Sequence, residues 1–269
     1  MKARCLILLA AAGCMQGQNG QQGPRPEWPC VAGRAVDPAF LETSESTGGQ
    51  VFLFQKSEAA QTTVFLTADH THPATIVRAV GSLSGAGEYE FPVDSTVSSL
   101  LITASVQCRK SIGVFRPSGT EMMAANSTRS VDLQASRAVI VDNPEPGKWK
   151  VRLEGTGVFV LAVRAQSPLR LGEINFLNEN GGAAEPRLGA AQTAMAYVGG
   201  TINRARFDVL GPSGQLLGTS EGAQSASSAY RFAITPGAER FRIRIAGTDG
   251  AGWPVERTAP ILFRARAQN

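Results

Sequence analysis

The sequence predicts an all-β protein, two tandem immunoglobulin-like β-sandwiches behind an N-terminal signal and tether. Three observations carry that prediction. First, two stretches recur: Ile112-Gly-Val-Phe-Arg-Pro-Ser-Gly119 returns as Phe207-Asp-Val-Leu-Gly-Pro-Ser-Gly214, and Pro146-Gly-Lys-Trp149 with its following strand returns from Pro236. The offsets are 95 and 90 residues (207 − 112 and 236 − 146), the size of a small domain rather than of a solenoid unit. Second, apolar and charged residues alternate. Trp149, Val151 and Leu153 fall on one face with Lys148, Lys150 and Arg152 on the other, and the copy repeats this as Phe241, Ile243 and Ile245 against Arg240, Arg242 and Arg244. Period two with one wet face is the pattern of a strand in an antiparallel sheet. Third, 29 Gly and 15 Pro punctuate short strand-like runs, with no long helical period after the first residues.

Taken from the N-terminus, Lys2 and Arg4 precede the apolar run Leu6–Gly13, which is too short to cross a bilayer and reads as a secretory signal. Its end, Ala11-Ala12-Gly13-Cys14, resembles the bacterial lipobox, although Ala11 stands where such motifs usually carry Leu. The resemblance implies cleavage before Cys14 and a diacylglycerol on its thiol, hence a protein held on a membrane; ordinary secretion is the alternative. Residues 1–13 are then the signal peptide, and residues 14–33, rich in Gln and Gly, a flexible tether. Without Lys2 and Arg4 the formal charge falls from +4 to +2, which argues against a global pull toward polyanions. Cys30 and Cys108 are the cysteines outside the signal; in an oxidising compartment they are expected to form a disulfide, the other reading being two free thiols.

Strands are expected at 51–54, 62–66, 99–104, 138–142, 158–163, 192–197, 229–234 and 260–264, besides 148–154 and its copy. Pro117-Ser-Gly119 and Pro212-Ser-Gly214 read as hairpin turns, with Pro at an early turn position and Gly where φ is positive. These elements divide the chain into residues 34–85, a first sandwich over 86–167 and a second over 168–269.

Several segments carry a family resemblance: Phe91-Pro-Val-Asp94, Leu100-Leu-Ile102, Asn143-Pro-Glu-Pro-Gly-Lys-Trp149, the Gly-Val-Phe-Val run ending at Val160, and Phe241-Arg-Ile-Arg-Ile-Ala-Gly-Thr248 with Asp249 to Gly252. Together they resemble the region that follows the von Willebrand factor A domain in hemicentin-type extracellular proteins. Upstream, residues 37–54 are similar to the last helix and strand of the A domain itself. This implies that residues 34–85 hold a strand–helix remnant, or else an extra strand pair, and that the A domain's metal-binding body is not encoded. The resemblance also implies a non-catalytic role, an adhesion-type interaction module.

Candidates for chemistry are few. Asp94-Ser-Thr-Val-Ser98 spells a metal-loop pattern, but Pro92 interrupts its approach and a strand follows, so no metal is expected there. Asp69-His70-Thr71-His72 holds both histidines and reads as a solvated loop, since two ligands with nothing to complete them make a poor Zn²⁺ or Cu²⁺ site. No Gly-x-Ser-x-Gly elbow, phosphate loop, dinucleotide fingerprint or Cys-x-x-Cys is present, and neither catalytic residues nor a cofactor is expected. A hydrolase with an unrecognised site is the remaining enzymatic alternative.

The sharpest feature is three arginine pairs at i, i+2 in the second module: Arg204/Arg206, Arg242/Arg244 and Arg264/Arg266. On neighbouring strands they would form a basic outer face, suited to the carboxylate or phosphate groups of an anionic glycan or envelope polymer. Nucleic acid is excluded as a partner because no aromatic residues interleave with the arginines. Trp253 is a further candidate, as a sugar-stacking aromatic on a loop. The expectation is therefore an exported, envelope or surface module whose partner is a protein or an envelope polymer.

Overall fold

The computed structural model describes residues 10–11, 36–62, 71–123 and 129–267. Cys14, Cys30, Asp69 and His70, and the expected strand beyond Thr62, lie outside the described residues. The chain is all-β and sandwich-like, as expected, with little helix among the described residues. β1 (Ala10–Ala11) pairs in parallel with β2 (Leu53–Phe54). Between them α1 (Pro38–Thr47) starts where the Asp37 side chain accepts the Ala39 N–H at 2.9 Å with Pro38 in the first turn. It stops at Gly48, whose φ of 74° suits glycine. A 3₁₀ turn, Lys56–Thr62, follows β2.

The first sheet contains β3 (Ala74–Val93), β4 (Ser99–Phe115), β5 (Arg129–Asp132), β6 (Ser136–Asp142) and β7 (Gly147–Gln166), all antiparallel in the order β3-β7-β4-β6-β5. β3 pairs with β7 from Ala74↔Ala165 to Val93↔Gly147, so residues 74–85 belong to this sheet and the boundary expected at residue 86 moves to 74. The runs 148–154 and 158–163, expected as separate strands, form one 20-residue strand. The chain bends there without breaking, because Gly155 and Gly157 take φ of 150° and 89° and β4 carries register shifts opposite. A Cβ at Gly155 would lie 2.2 Å from the Cys108 carbonyl oxygen, which only glycine avoids. The bend brings both halves of each long strand onto one core, where Ile76, Leu100 and Leu161 meet Phe91, Ile112 and Trp149.

The second unit contains β8 (Arg170–Leu177), β9 (Ala183–Ala184), β10 (Gln192–Gly199), β11 (Asn203–Leu210), β12 (Leu216–Ala226), β13 (Ala229–Ile234), β14 (Arg240–Thr248), β15 (Pro254–Thr258) and β16 (Phe263–Arg264). Their order is β15-β14-β11-β12-β13-β10-β8-β9, with β16 also on β14. β12 pairs with β11 through Leu216–Glu221 and with β13 from Gly222 on, so it turns a corner between two layers. A Cβ on Gly222 would come within 2.5 Å of the Phe207 ring. Phe207 of one layer stacks on Phe232 of the other, centroids 3.9 Å apart, and Phe241, Ile243 and Ile245 complete the core beneath. The inward face predicted for β14 is the one observed.

The two units meet over a broad polar seam. Val80 N–H donates to Pro212 O at 2.9 Å, so the Pro212–Gly214 turn packs on β3, and Thr258 Oγ1 donates to Ile76 O at 2.8 Å. Within the seam Arg257 and Asp94, both fully buried, pair at 2.6 Å, while Arg257 Nε donates to Leu169 O at 2.7 Å. At the other side Glu45 of α1 accepts from Arg78 of β3 and also pairs with Arg242 of β14. All three are buried, and one carboxylate therefore sits between two guanidiniums from different units.

Candidate functional site

The six arginines do not form one basic face. β14 turns Arg242 away from the sandwich core as expected, but α1 covers that side. Arg242 is fully buried beside Glu45 and donates to Pro260 O at 3.1 Å. Burial pushes its guanidinium down to about 9, still charged at neutral pH. The expected role of Arg242 on a wet ligand face is thus corrected: it is an internal cation of the seam. Arg264 and Arg266, at the far edge, are exposed and pair with Glu42 at 3.4 Å and Glu185 at 2.7 Å.

Arg204, Arg206 and Arg244 lie on the outer face of β11, β14 and β15. Register places Arg206 opposite Ala246, and Ala246 opposite Glu256, while Asp208 faces Arg244. The small side chain of Ala246 leaves a cleft of about 230 Å³ floored by Ala246 and walled by Arg204, Arg206, Thr248, Pro254 and Glu256. Its charges are held from below. Asp208, with no exposed side-chain area, accepts from Arg206 Nε at 3.0 Å, Arg244 Nη2 at 2.7 Å and Thr219 Oγ1 at 2.8 Å. Burial pushes the Asp208 carboxyl up, but the hydrogen bonds from Arg244, Thr219 and Arg206 outweigh it and hold the group below its ordinary value. Arg244 Nη1 donates onward to Glu256 Oε2 at 2.9 Å; burial nevertheless raises the Glu256 carboxyl.

Arg204 differs from its neighbours. It sits at a register shift in β11 with φ of 52°, a left-handed conformation that costs a non-glycine residue energy. Among the described residues its side chain has no hydrogen-bond or ion-pair partner. One residue before Pro254, Trp253 is 41% exposed. Its hairpin is fixed by Asp249, which accepts from Ala251 N–H and Trp253 N–H at 2.9 and 2.8 Å, and from Ser95 Oγ of the first unit at 2.6 Å. Asp208 and Glu256, the acids that position this site, escaped the sequence reading. The signal available was Asp208 at i+2 from Arg206, on the same face of the same strand.

The remaining sequence candidates find other partners. Asp94 Oδ1 accepts the Thr96 N–H at 3.1 Å and its Oδ2 the Arg257 pair, so the metal-like loop is a turn tied to the seam. No group of three metal-ligating side chains occurs among the described residues. His72 is buried, with Nδ1 2.9 Å from Thr71 Oγ1 and Nε2 3.0 Å from Ser99 Oγ. Ser99 Oγ also donates to Asp142 Oδ1 at 3.1 Å, so His72, Ser99 and Asp142 form one hydrogen-bonded chain at the start of β4. Cys108 is disulfide-bonded, its partner lying outside the described residues.

Among known proteins, no curated protein matches the chain in sequence. Among solved structures, a Bacillus licheniformis lipase in propeptide form is 14% identical, with 72% of this chain and 43% of that one covered and a TM-score of 0.36. The glycoside hydrolase domain of Endo-D from Streptococcus pneumoniae R6 is 12% identical over 70% of this chain and 33% of that one, at 0.22. The BSP domain of a biofilm-associated protein is 8% identical over 79% and 56%, at 0.24. The chain thus spans less than two thirds of each of these structures, and at such TM-scores none bears on function. A family model does match part of the chain: residues 74–168, which hold the whole first sheet, are similar to the hemicentin galactose-binding domain-like region, a β-sandwich of hemicentin type.

Proposed function

We propose that the protein is a non-catalytic surface-binding module that engages a carbohydrate-bearing surface, exported and anchored at the cell envelope through Cys14. The observation that carries this reading is the similarity of residues 74–168 to a galactose-binding domain-like region. The architecture is consistent with it. Two sandwiches locked by buried ion pairs present rigid strands and end loops, and the second unit carries open clefts walled by both charged and apolar residues. The anchor follows from the lipobox resemblance, and the Cys30–Cys108 disulfide would tie the tether to β4, where Cys108 is already bonded.

The test is retention of the purified full chain on immobilised polysaccharides, galactose-containing and envelope-derived, alongside crosslinking of the anchored protein in its own cells. Retention on carbohydrate with no dominant protein crosslink is the expected result. A dominant protein partner together with no retention on any carbohydrate would sink the reading.

A further inference from the structure

We infer that the cleft between β11 and β15 is a binding site for a sugar acid, a ring bearing one carboxylate, such as a uronate within a polysaccharide. This rests on the surface-binding reading above and names a ligand class and a site for it, in the second unit and outside residues 74–168.

Four observations converge. Arg204 projects from a strained bulge at the cleft wall, its guanidinium without an internal partner, whereas Arg206 and Arg244 are held by Asp208 and Arg244 also by Glu256. Bulges beside functional sites re-aim a side chain, and a left-handed non-glycine residue persists only where its surroundings hold it. The cleft therefore offers one uncommitted cation beside a neutralised framework, which is the charge complement of a single carboxylate. A planar guanidinium takes that carboxylate in two parallel hydrogen bonds.

The other walls fit a sugar ring. Thr248 brings a hydroxyl and Glu256 a carboxylate that accepts from ring hydroxyls, and Pro254 contributes an apolar surface. At about 230 Å³ the space suits one ring rather than the larger ligands that fill pockets of about 300 Å³ and more. The exposed indole of Trp253 stands next along the chain, on a hairpin that Asp249 fixes in place before any ligand arrives. An exposed aromatic on a backbone already held in place, one residue from the cleft wall at Pro254, lowers the ordering cost of a contact with a longer ligand. A phosphate monoester, with close to two negative charges at neutral pH, exceeds the one uncommitted arginine and faces the Glu256 carboxylate, so the charge count favours a monovalent acid.

The experiment uses the full chain and titrates two probes, an oligogalacturonate and a neutral galacto-oligosaccharide of equal length, at low and at physiological salt. Expected are tighter binding of the oligogalacturonate, weakened by salt, and a loss of about ten- to a hundredfold in its affinity for Arg204→Ala, the usual worth of a charge-assisted contact. Trp253→Ala should weaken both probes, and Arg204→Lys should recover part of the loss, with melting temperatures unchanged in all three variants. Wild-type affinity for the oligogalacturonate in Arg204→Ala, with carbohydrate binding otherwise present, would overturn this site while leaving the surface-binding reading standing. Absence of binding to either probe and to envelope polysaccharides would overturn both.

Discussion

Replacing Glu45 by Gln keeps the size of the side chain and removes the one carboxylate that stands between Arg78 and Arg242. In the wild-type protein Arg78 Nε donates to Glu45 Oε1 at 2.9 Å while Arg242 approaches Oε2, and the three side chains have exposures of 3, 2 and 0%. Arg242 stays charged at neutral pH, so the variant leaves its buried guanidinium without the carboxylate that faces it and weakens the hold on Arg78, which keeps its donations to Ser44 O and Gly48 O. Removing one partner of a buried ion pair costs about 3–5 kcal/mol, and here the removal leaves Arg242 buried without its carboxylate. A loss of at least 3 kcal/mol is expected. At about 2–4 °C per kcal/mol for a chain of this size, the melting temperature should fall by at least about 6–12 °C. Denaturant titration followed by tryptophan fluorescence reads the loss, and limited proteolysis should cleave α1 in the variant before the sheets. The companion variant Arg242→Met removes one of the two cations and restores apolar contact, so adding it to Glu45→Gln should recover part of the stability. A Glu45→Gln protein within about 0.5 kcal/mol of wild type would refute the reasoning, because no surface-like salt bridge could then be distinguished from this one.

Three further outcomes are expected. Trp149→Ala empties a fully buried site and strands the Glu145 carbonyl that accepts its indole N–H at 2.9 Å, so it should cost about 3–5 kcal/mol in denaturant unfolding; an unchanged midpoint would contradict the packing of β7. The Asp208 carboxyl is held below its unfolded value, so its contribution is present above about pH 4 and lost as pH falls through the lower folded value. Melting temperatures between about pH 5 and pH 2 should therefore fall less steeply for Asp208→Asn than for wild type, and equal slopes would count against the claim. Finally, if Cys30 is the bonding partner of Cys108, Cys30→Ser leaves one new thiol reactive to maleimide under non-reducing conditions, whereas an unreactive Cys108 would place its partner elsewhere.

The period-two pattern made the inward faces of β7 and β14 legible, and Ala229–Ile234 emerged with its ends in place. It did not reveal what lies over the outward faces. Arg240, Arg242 and Arg244 look equivalent on paper, yet α1, some two hundred residues earlier, lies over Arg242 alone and turns a wet position into a buried one. Contacts of such sequence separation leave no trace in local alternation. The same limit explains Asp94, whose loop spells a metal motif but whose carboxylate meets Arg257 across the seam. The strand lengths were misjudged for a different reason. Gly155 and Gly157 read as a break between two strands, and the opposing bulges of β4 that let one strand bend through them are a property of the partner. In the cleft, Arg204 and Arg206 stood out by spacing, while the positions of Asp208 and Glu256 beneath and opposite them depend on cross-strand register.

The connection between the sandwiches is only Ser167-Pro168-Leu169, and Arg257 takes hold of both its outer residues, with Nη2 3.1 Å from Ser167 Oγ and Nε 2.7 Å from Leu169 O. A tandem protein with a free linker must freeze a hinge each time both of its modules grip the same surface. Here that freezing is done during folding. A polymer that touches residues 74–168 and the β11–β15 cleft at once meets two contacts at a fixed spacing, so the second contact follows the first without further loss of inter-module freedom. The spacing itself then becomes a selector, favouring polymers whose repeat matches it and discriminating against those whose repeat does not.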